Sequence, residues 1–252
     1  MLAENVFSDV EFDNWAYIEN LKPEEKFLID NYLNKGINII EAGTGGGRIL
    51  IELQKLGYSS LTGFDCEPKM VEVANQRDTS KEIQFEVQDA VNLPYKNESF
   101  GQALYLQQIM SFIPTESQRL NAFKEAYRIL KPSGTILFAV LNFDARIRKP
   151  FYQKYLSYLM FFRKVTNSRN AIQTIPWLKH NGKPNLSALI DKSPYTYWFK
   201  IEEIHQILQN VGFEVMALGS SPQIQQGRMC NSPQQLLQEQ LEGILYIICK
   251  KP

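Results

Sequence analysis

The sequence predicts an α/β fold, an open and mostly parallel sheet with helices on both faces, elaborated by one inserted segment. Three observations carry that expectation. From residue 37 to 140 short apolar runs alternate with stretches of helical spacing, the pattern of strands joined by crossover helices. The first run ends in a carboxylate and passes straight into a glycine-rich turn, INIIEAGTGGGR, residues 37–48. The alternation then stops near Arg146 and resumes at Lys200, across a stretch of different composition. With 252 residues, 44% of them apolar, the chain can bury one sizeable core, so a single elaborated domain is expected.

In chain order, EFDNWAYIENLKPEEKFLIDNYL (residues 11–33) reads as one or two helices ahead of the first strand. The run INII suits a strand buried on both faces, and Gly43, Gly45, Gly46 and Gly47 let the backbone bend and approach a ligand without a Cβ in the way. RILIELQKL then opens a helix whose free N–H groups face that ligand. A dinucleotide fingerprint, G-x-G-x-x-G counted from Gly43, fails because its last position is Arg48. Counted as E-x-G-x-G-x-G the match is complete, through Glu41, Gly43, Gly45 and Gly47. SLTGFDCEPKMVEVA (residues 60–74) reads as a second strand ending in Asp65 and a helix from about Pro68. At the tip of the neighbouring strand a carboxylate can accept both hydrogen bonds of a ribose diol. IQFEVQDAVNLPY (83–95) and RILKPSGTILFAV (128–140) supply further strands with their flanking turns.

In these four motifs, over residues 37–140, the chain resembles the class I S-adenosylmethionine-dependent methyltransferases of the broad type 11 group. The resemblance implies a Rossmann-like sheet of seven strands in which only the last is antiparallel, with KIEEIHQILQNVGFEVMAL and GILYIICKK supplying the closing helix and strands as an edge hairpin. It implies S-adenosylmethionine as cofactor, held by Glu41, Ala42, Gly43, Thr44, Gly45 and Gly47 of the first motif. Asp65 would take the ribose with Cys66 beside it, Asp89 the adenine amino group with Ala90 alongside, and Leu106 and Tyr17 would complete the wall. Cys66 also reads as a small apolar wall residue. In related enzymes the N-terminal helices close over the methionine end, where Trp15 and Tyr17 would offer apolar contact or cation–π attraction, or ordinary packing. One departure is Gly101 after Phe100, where the family usually has Phe-Asp.

The net charge is zero, yet it is unevenly spread. Residues 146–200 hold eleven Lys and Arg against one acid, Asp191, so that segment carries +10 and the remainder −10. Eleven aromatics lie there too, among them Phe151, Tyr155, Tyr158 and Phe162 at the spacing of one helix face. Emerging at the C-terminal edge of the sheet, where open α/β sheets bind ligands, the segment is placed to act as a lid that selects the substrate. The stripe reads either as a face packed on the core or as an aromatic wall around a planar or apolar substrate. The cations would then hold a carboxylate, a phosphate or an anionic lipid surface, giving peripheral membrane contact. Aromatics interleaved with cations also suit nucleic acid, through phosphate neutralisation and base stacking, but the patch is confined to the presumed lid while the rest of the chain is acidic, which argues against that partner.

The expected organisation is therefore residues 1–145 as N-terminal helices and cofactor half, 146–199 as the basic aromatic lid, and 200–252 as the helix and strands that complete the same domain. Methyl transfer asks mainly for a nucleophile held in line and shielded from water, with a base where a proton must leave. Asp144, just past the fifth strand, is one candidate base, with a turn or helix-capping role as its alternative. His180 in the lid is another, whereas His205 adjoins an apolar stripe and reads as structural. YLQQIMSFIP, after the fourth strand, offers Gln107 and Gln108 but no Asn/Asp-Pro-Pro-Tyr motif, which argues against DNA or protein-amide acceptors. The expected activity is methylation of a small lipophilic, aromatic or anionic metabolite on oxygen, nitrogen or carbon. An RNA methyltransferase is the alternative, and a non-catalytic binding module with the same fold a further one. Three widely spaced cysteines without metal-ligand spacing, and no long apolar run, suggest reduced thiols, a cytoplasmic protein and no bound metal.

Overall fold

The computed structural model describes residues 12–180 and 183–252. Two helices open the chain, α1 (Phe12–Ala16) and α2 (Pro23–Tyr32). Proline starts α2, and the Glu25 carboxylate reaches back to accept from Lys22 N at 2.8 Å, closing an orphan donor at the helix start. Then follow β1 (Ile39–Ala42), α3 (Arg48–Lys55), β2 (Leu61–Asp65), α4 (Pro68–Arg77) and β3 (Gln84–Val87). The second half continues with β4 (Phe100–Tyr105), α5 (Ile109–Phe112), α6 (Glu116–Ile129) and β5 (Leu130–Leu141).

These strands join two later ones in a sheet of order β10-β11-β5-β4-β1-β2-β3, where β10 is Glu214–Gly219 and β11 Ile244–Lys250. Pairings from β5 through β3 are parallel, and β11 runs antiparallel to both β5 and β10, as the resemblance implies. Alternate residues feed two cores. Ile40, Ala42, Ala103, Tyr105 and Phe138 face one layer, and Ile39, Leu104, Leu137 and Ala139 face the other, where α3 contributes Ile49, Leu50 and Leu53. All are essentially without solvent contact, and full burial of such side chains stabilises the fold by roughly 1.5–3 kcal/mol each. The closing strands are not a tight hairpin. Ser-Pro pairs at Ser221 and Ser232 start two short helices between them, α10 (Ser221–Gln225) and α11 (Pro233–Leu237).

Between β5 and α9 (Ile201–Val211) the chain leaves the sheet and returns to nearly the same point. Asn142 bridges to Phe199, Phe143 N donates to Phe199 O at 2.8 Å, and Phe199 N donates to Leu141 O at 2.9 Å. This loop holds α7 (Phe143–Ile147), α8 (Pro150–Thr166), β6 (Thr174–Pro176), β7 (Lys179–His180), β8 (Lys183–Pro184), a 3-10 turn at Leu186–Ile190, and β9 (Tyr195–Tyr197) paired with β6. It has a small core of its own, built on Phe143, Tyr155, Leu156, Leu159, Ile175 and Trp198. The buried Arg163 guanidinium meets Asp191 at 2.7 and 2.8 Å and also donates to Ala171 O and Thr174 O, tying α8 to the strand pair. That demand sets the rotation of α8. Tyr155, Leu156, Leu159 and Arg163 turn inward, while Phe151 and Tyr158 of the expected stripe stay 65% and 40% exposed. Among the described residues no helix is long and apolar enough to cross a membrane.

Candidate functional site

A cleft opens at the C-terminal ends of β1, β2 and β4, with a cavity volume of about 240 Å³. Its floor is the turn after β1. Gly43 and Gly45 sit at φ +67° and +53°, in the left-handed region that side chains with a Cβ adopt only under strain. A Cβ on Gly43 would meet Ile109 Cγ2 at 2.2 Å, whereas Gly45 has only Trp15 O nearby, at 3.6 Å. Thr44 N donates to Phe64 O at 2.9 Å, and Gly45 N donates to Asp65 Oδ2 at 2.9 Å. The other Asp65 oxygen accepts from Glu67 N at 3.0 Å. Asp65 therefore locks the turn to the start of α4, and burial raises its pKa above the usual carboxylate value.

Beneath the turn lies Glu41, without solvent contact. Thr44 Oγ1 donates to its Oε2 at 2.7 Å, and its Oε1 is buried with no hydrogen-bond partner. Burial pushes this carboxyl up to about 8, against smaller downward pulls from Thr44 and Arg48. A buried carboxyl oxygen without a partner is a standing cost, and a polar ligand at the turn would relieve it.

The N-terminal segment closes one side. Arg48 donates to both Glu25 oxygens at 2.6 and 2.8 Å and to Asn20 O at 2.8 Å. Arg77 donates to Ala16 O, Gly46 O and Ile18 O at 2.7, 3.0 and 3.1 Å. These two arginines hold the segment so that Trp15 and Ile18 line the cleft. On the opposite rim Asp89, exposed, accepts from Val91 N through Oδ1 at 2.9 Å. Cys66 faces the same space, and its thiol is pushed up to about 12, chiefly by desolvation and then by the charges of Asp65 and Asp89, so it is neither base nor nucleophile.

Of the residues expected from the sequence, Gly43, Thr44, Gly45, Asp65, Cys66, Asp89 and Ala90 line this one cleft. Glu41, Ala42, Gly47 and Leu106 lie buried behind the surface. Tyr17 does not line the cleft and is 58% exposed, because α1 ends at Ala16 and the chain turns it outward. Asp144 has the geometry of the helix-capping alternative: its Oδ2 accepts from Ile201 N at 2.8 Å, and it lines neither cavity described here. His180 pairs through its backbone in β7, and its side chain lies outside the described residues. His205 is half-buried on α9 and lines neither cavity. Sequence reasoning missed the apolar wall of Phe64, Met70, Ile109, Phe112 and Ile113. For Ile109, Phe112 and Ile113 the signal is present in YLQQIMSFIP, where apolar residues recur at helical spacing. Among the described residues no cluster of His, Cys, Asp and Glu could hold a metal ion.

A second cavity, of about 500 Å³, lies within the segment between β5 and α9. Phe112 belongs to the walls of both cavities, and its ring packs edge-on against Trp177 with centroids 5.9 Å apart. Around the second cavity stand Phe151, Tyr152, Trp177, Trp198 and one arginine, Arg146. The Arg146 guanidinium lies 3.5 Å from the Tyr152 ring centre and 4.0 Å from that of Trp198. Burial pulls it down to about 10.

The family described as Methyltransferase domain matches residues 40–138. YqeM of Bacillus subtilis (strain 168), a provisionally assigned methyltransferase, is 24% identical over 221 residues, covering 84% of this chain and 83% of its own length. The demethylmenaquinone methyltransferase of Tropheryma whipplei (strain Twist) is 25% identical over 191 residues, 71% of this chain and 67% of its own. A solved S-adenosylmethionine-dependent methyltransferase of Methanosarcina mazei shares the fold at a TM-score of 0.67 and 19% identity, covering 93% of this chain and 99% of that one. By their names, relatives in the same comparison act on small molecules, tRNA and protein, so substrate class does not follow from similarity.

Proposed function

The chain is a class I S-adenosylmethionine-dependent methyltransferase, and from that premise we propose that its acceptor is a small lipophilic or aromatic metabolite held in the cavity between β5 and α9. One observation carries the proposal: that cavity and the cleft share Phe112, so a ligand in each would meet at this side chain. When bound, the cofactor supplies a methyl group already activated on a sulfonium. The residues at the turn fit it, since a buried Glu41 oxygen awaits a polar partner and Gly45 leaves the floor open. Glu41 and residues 43–47 would hold the amino-acid end, Asp65 the ribose, and Asp89 with Ala90 the adenine. Trp15 and Ile18 would cover the cleft against water.

Proton removal is the step for which the walls offer least. Among the described residues lining the two cavities, the only carboxylates are Asp65 and Asp89, both on the cofactor side. An acceptor that arrives already ionised, or that reacts through a lone pair, suits such a site.

The partner we propose is an anionic membrane surface. Phe151, Tyr158, Phe161 and Val165 stand exposed along one side of α8, next to exposed Leu186, Leu189 and Ile190. Exposed Lys149, Lys154, Lys164 and Lys192 surround them. Apolar side chains ringed by lysines match a lipid interface of opposite charge. The three cysteines are unpaired, which suits a cytoplasmic site.

Isothermal titration with S-adenosylmethionine and S-adenosylhomocysteine, with NAD as control, tests the cofactor half. Binding of the first two alone is expected, and silence from folded protein would return the chain to the non-catalytic reading. A labelled-methyl assay across lipophilic and anionic acceptors and bulk tRNA tests the acceptor half. The +10 segment favours RNA as the second reading, so labelled tRNA, with binding that falls steeply in salt, would displace the metabolite proposal.

A further inference from the structure

Among the described residues Arg146 has no acidic partner. The buried cation of the segment, Arg163, is neutralised by Asp191, whereas half-buried Arg146 has no ion pair among the described residues. Its Nε is buried without a hydrogen-bond partner. A partly desolvated guanidinium with a buried unpaired N–H and no counter-charge carries a cost that a ligand could relieve. The rings of Tyr152 and Trp198 lie within 4.0 Å of the guanidinium carbon and attract the cation, and the Tyr152 hydroxyl also hydrogen-bonds to it, but neither meets the buried Nε. Arg146 lines the second cavity together with Phe151, Trp177 and Trp198, flat apolar walls with no other half-buried cation among them.

We propose that Arg146 is an anion-recognition residue, and that the acceptor is a planar aromatic carrying a carboxylate or a similar two-oxygen anion which the guanidinium binds in its own plane. The proposal rests on the acceptor cavity assigned above and narrows its occupant. The rings would enclose the planar body and Arg146 would fix its orientation relative to Phe112 and the cofactor cleft. A guanidinium presents paired parallel donors to a carboxylate, and a lysine at this place would present a single point charge.

Calorimetry on the full chain, saturated with S-adenosylhomocysteine, tests this with 2-naphthoate against its neutral analogue 2-naphthol. The wild type should bind 2-naphthoate at least tenfold more tightly than 2-naphthol. Arg146→Gln should erase that preference and leave S-adenosylhomocysteine affinity within twofold, and Arg146→Lys should keep part of the preference. Equal binding of the two probes by wild type, or a preference that survives Arg146→Gln, would overturn the proposal. Should Arg146→Gln fold poorly, as judged by its melting curve, an undiminished preference in Arg146→Lys decides against bidentate recognition. Displacement of 2-naphthoate by phosphatidylglycerol vesicles but not phosphatidylcholine vesicles would assign Arg146 to lipid headgroups instead. Failure to bind S-adenosylhomocysteine at all would sink the cofactor reading and leave the probe comparison intact, so the two ideas fail separately.

Discussion

In the reading proposed above, the turn after β1 and the segment between β5 and α9 would hold their ligands by opposite means. The turn works with backbone: glycines in left-handed conformations, amide N–H groups and one carboxylate, Asp65, all within a short stretch of chain. The inserted segment works with side chains brought from far apart, as where Arg146 lies between Tyr152 and Trp198. A site made of backbone tolerates little substitution where Cβ atoms do not fit. A site made of side chains can be retuned one residue at a time.

The largest expected effect breaks the first region. Gly45→Val places a β-branched residue at φ +53°, and loss of measurable S-adenosylhomocysteine binding by calorimetry is expected, with an unchanged circular dichroism spectrum. Retained affinity would mean that the turn does not hold the cofactor.

A second effect, intermediate in size, reads the cost of burying Glu41. Its carboxyl rises from 4.5 to about 8 on folding because burial disfavours the charge. Between those values the folded chain binds more protons than the unfolded chain, so stability falls as pH rises, by at most about 1.4 kcal/mol per pH unit, and levels off above the folded value. Glu41→Gln lacks this slope. Urea unfolding between pH 5 and pH 8 should therefore show the wild type losing ground steadily against the variant, and parallel curves would contradict a neutral buried Glu41.

The smallest effect sharpens the second region. Phe161 is 68% exposed, so Phe161→Glu should leave the melting temperature and cofactor affinity unchanged while weakening phosphatidylglycerol-vesicle binding several-fold in a sedimentation assay. Unchanged vesicle binding would remove the membrane proposal.

The same contrast explains what was legible beforehand. Strand-turn-helix order and the acidic tips at Glu41 and Asp65 are local, so they show in a dozen consecutive letters. For Asp144 the sequence leaves base and helix cap both open, because its partner, Ile201 N, lies 57 residues further on and no local pattern distinguishes a long-range helix cap from a base in a crevice. The aromatic stripe of α8 has a legible period, but how its members divide is not local: Tyr155 packs in the core of the segment and Phe151 lines the second cavity, against partners such as Asp191, 28 residues from Arg163. Trp15 and Tyr17 were equal candidates until the end of α1 at Ala16 sent one inward and the other out.

Phe112 stands in the walls of both cavities and packs on Trp177. In the reading proposed above, recutting the far wall of the second cavity for another acceptor would leave the cofactor cleft alone. Changing Phe112 would not: room made for an acceptor there would also reshape the wall of the cleft. This one side chain would answer to two ligands at once.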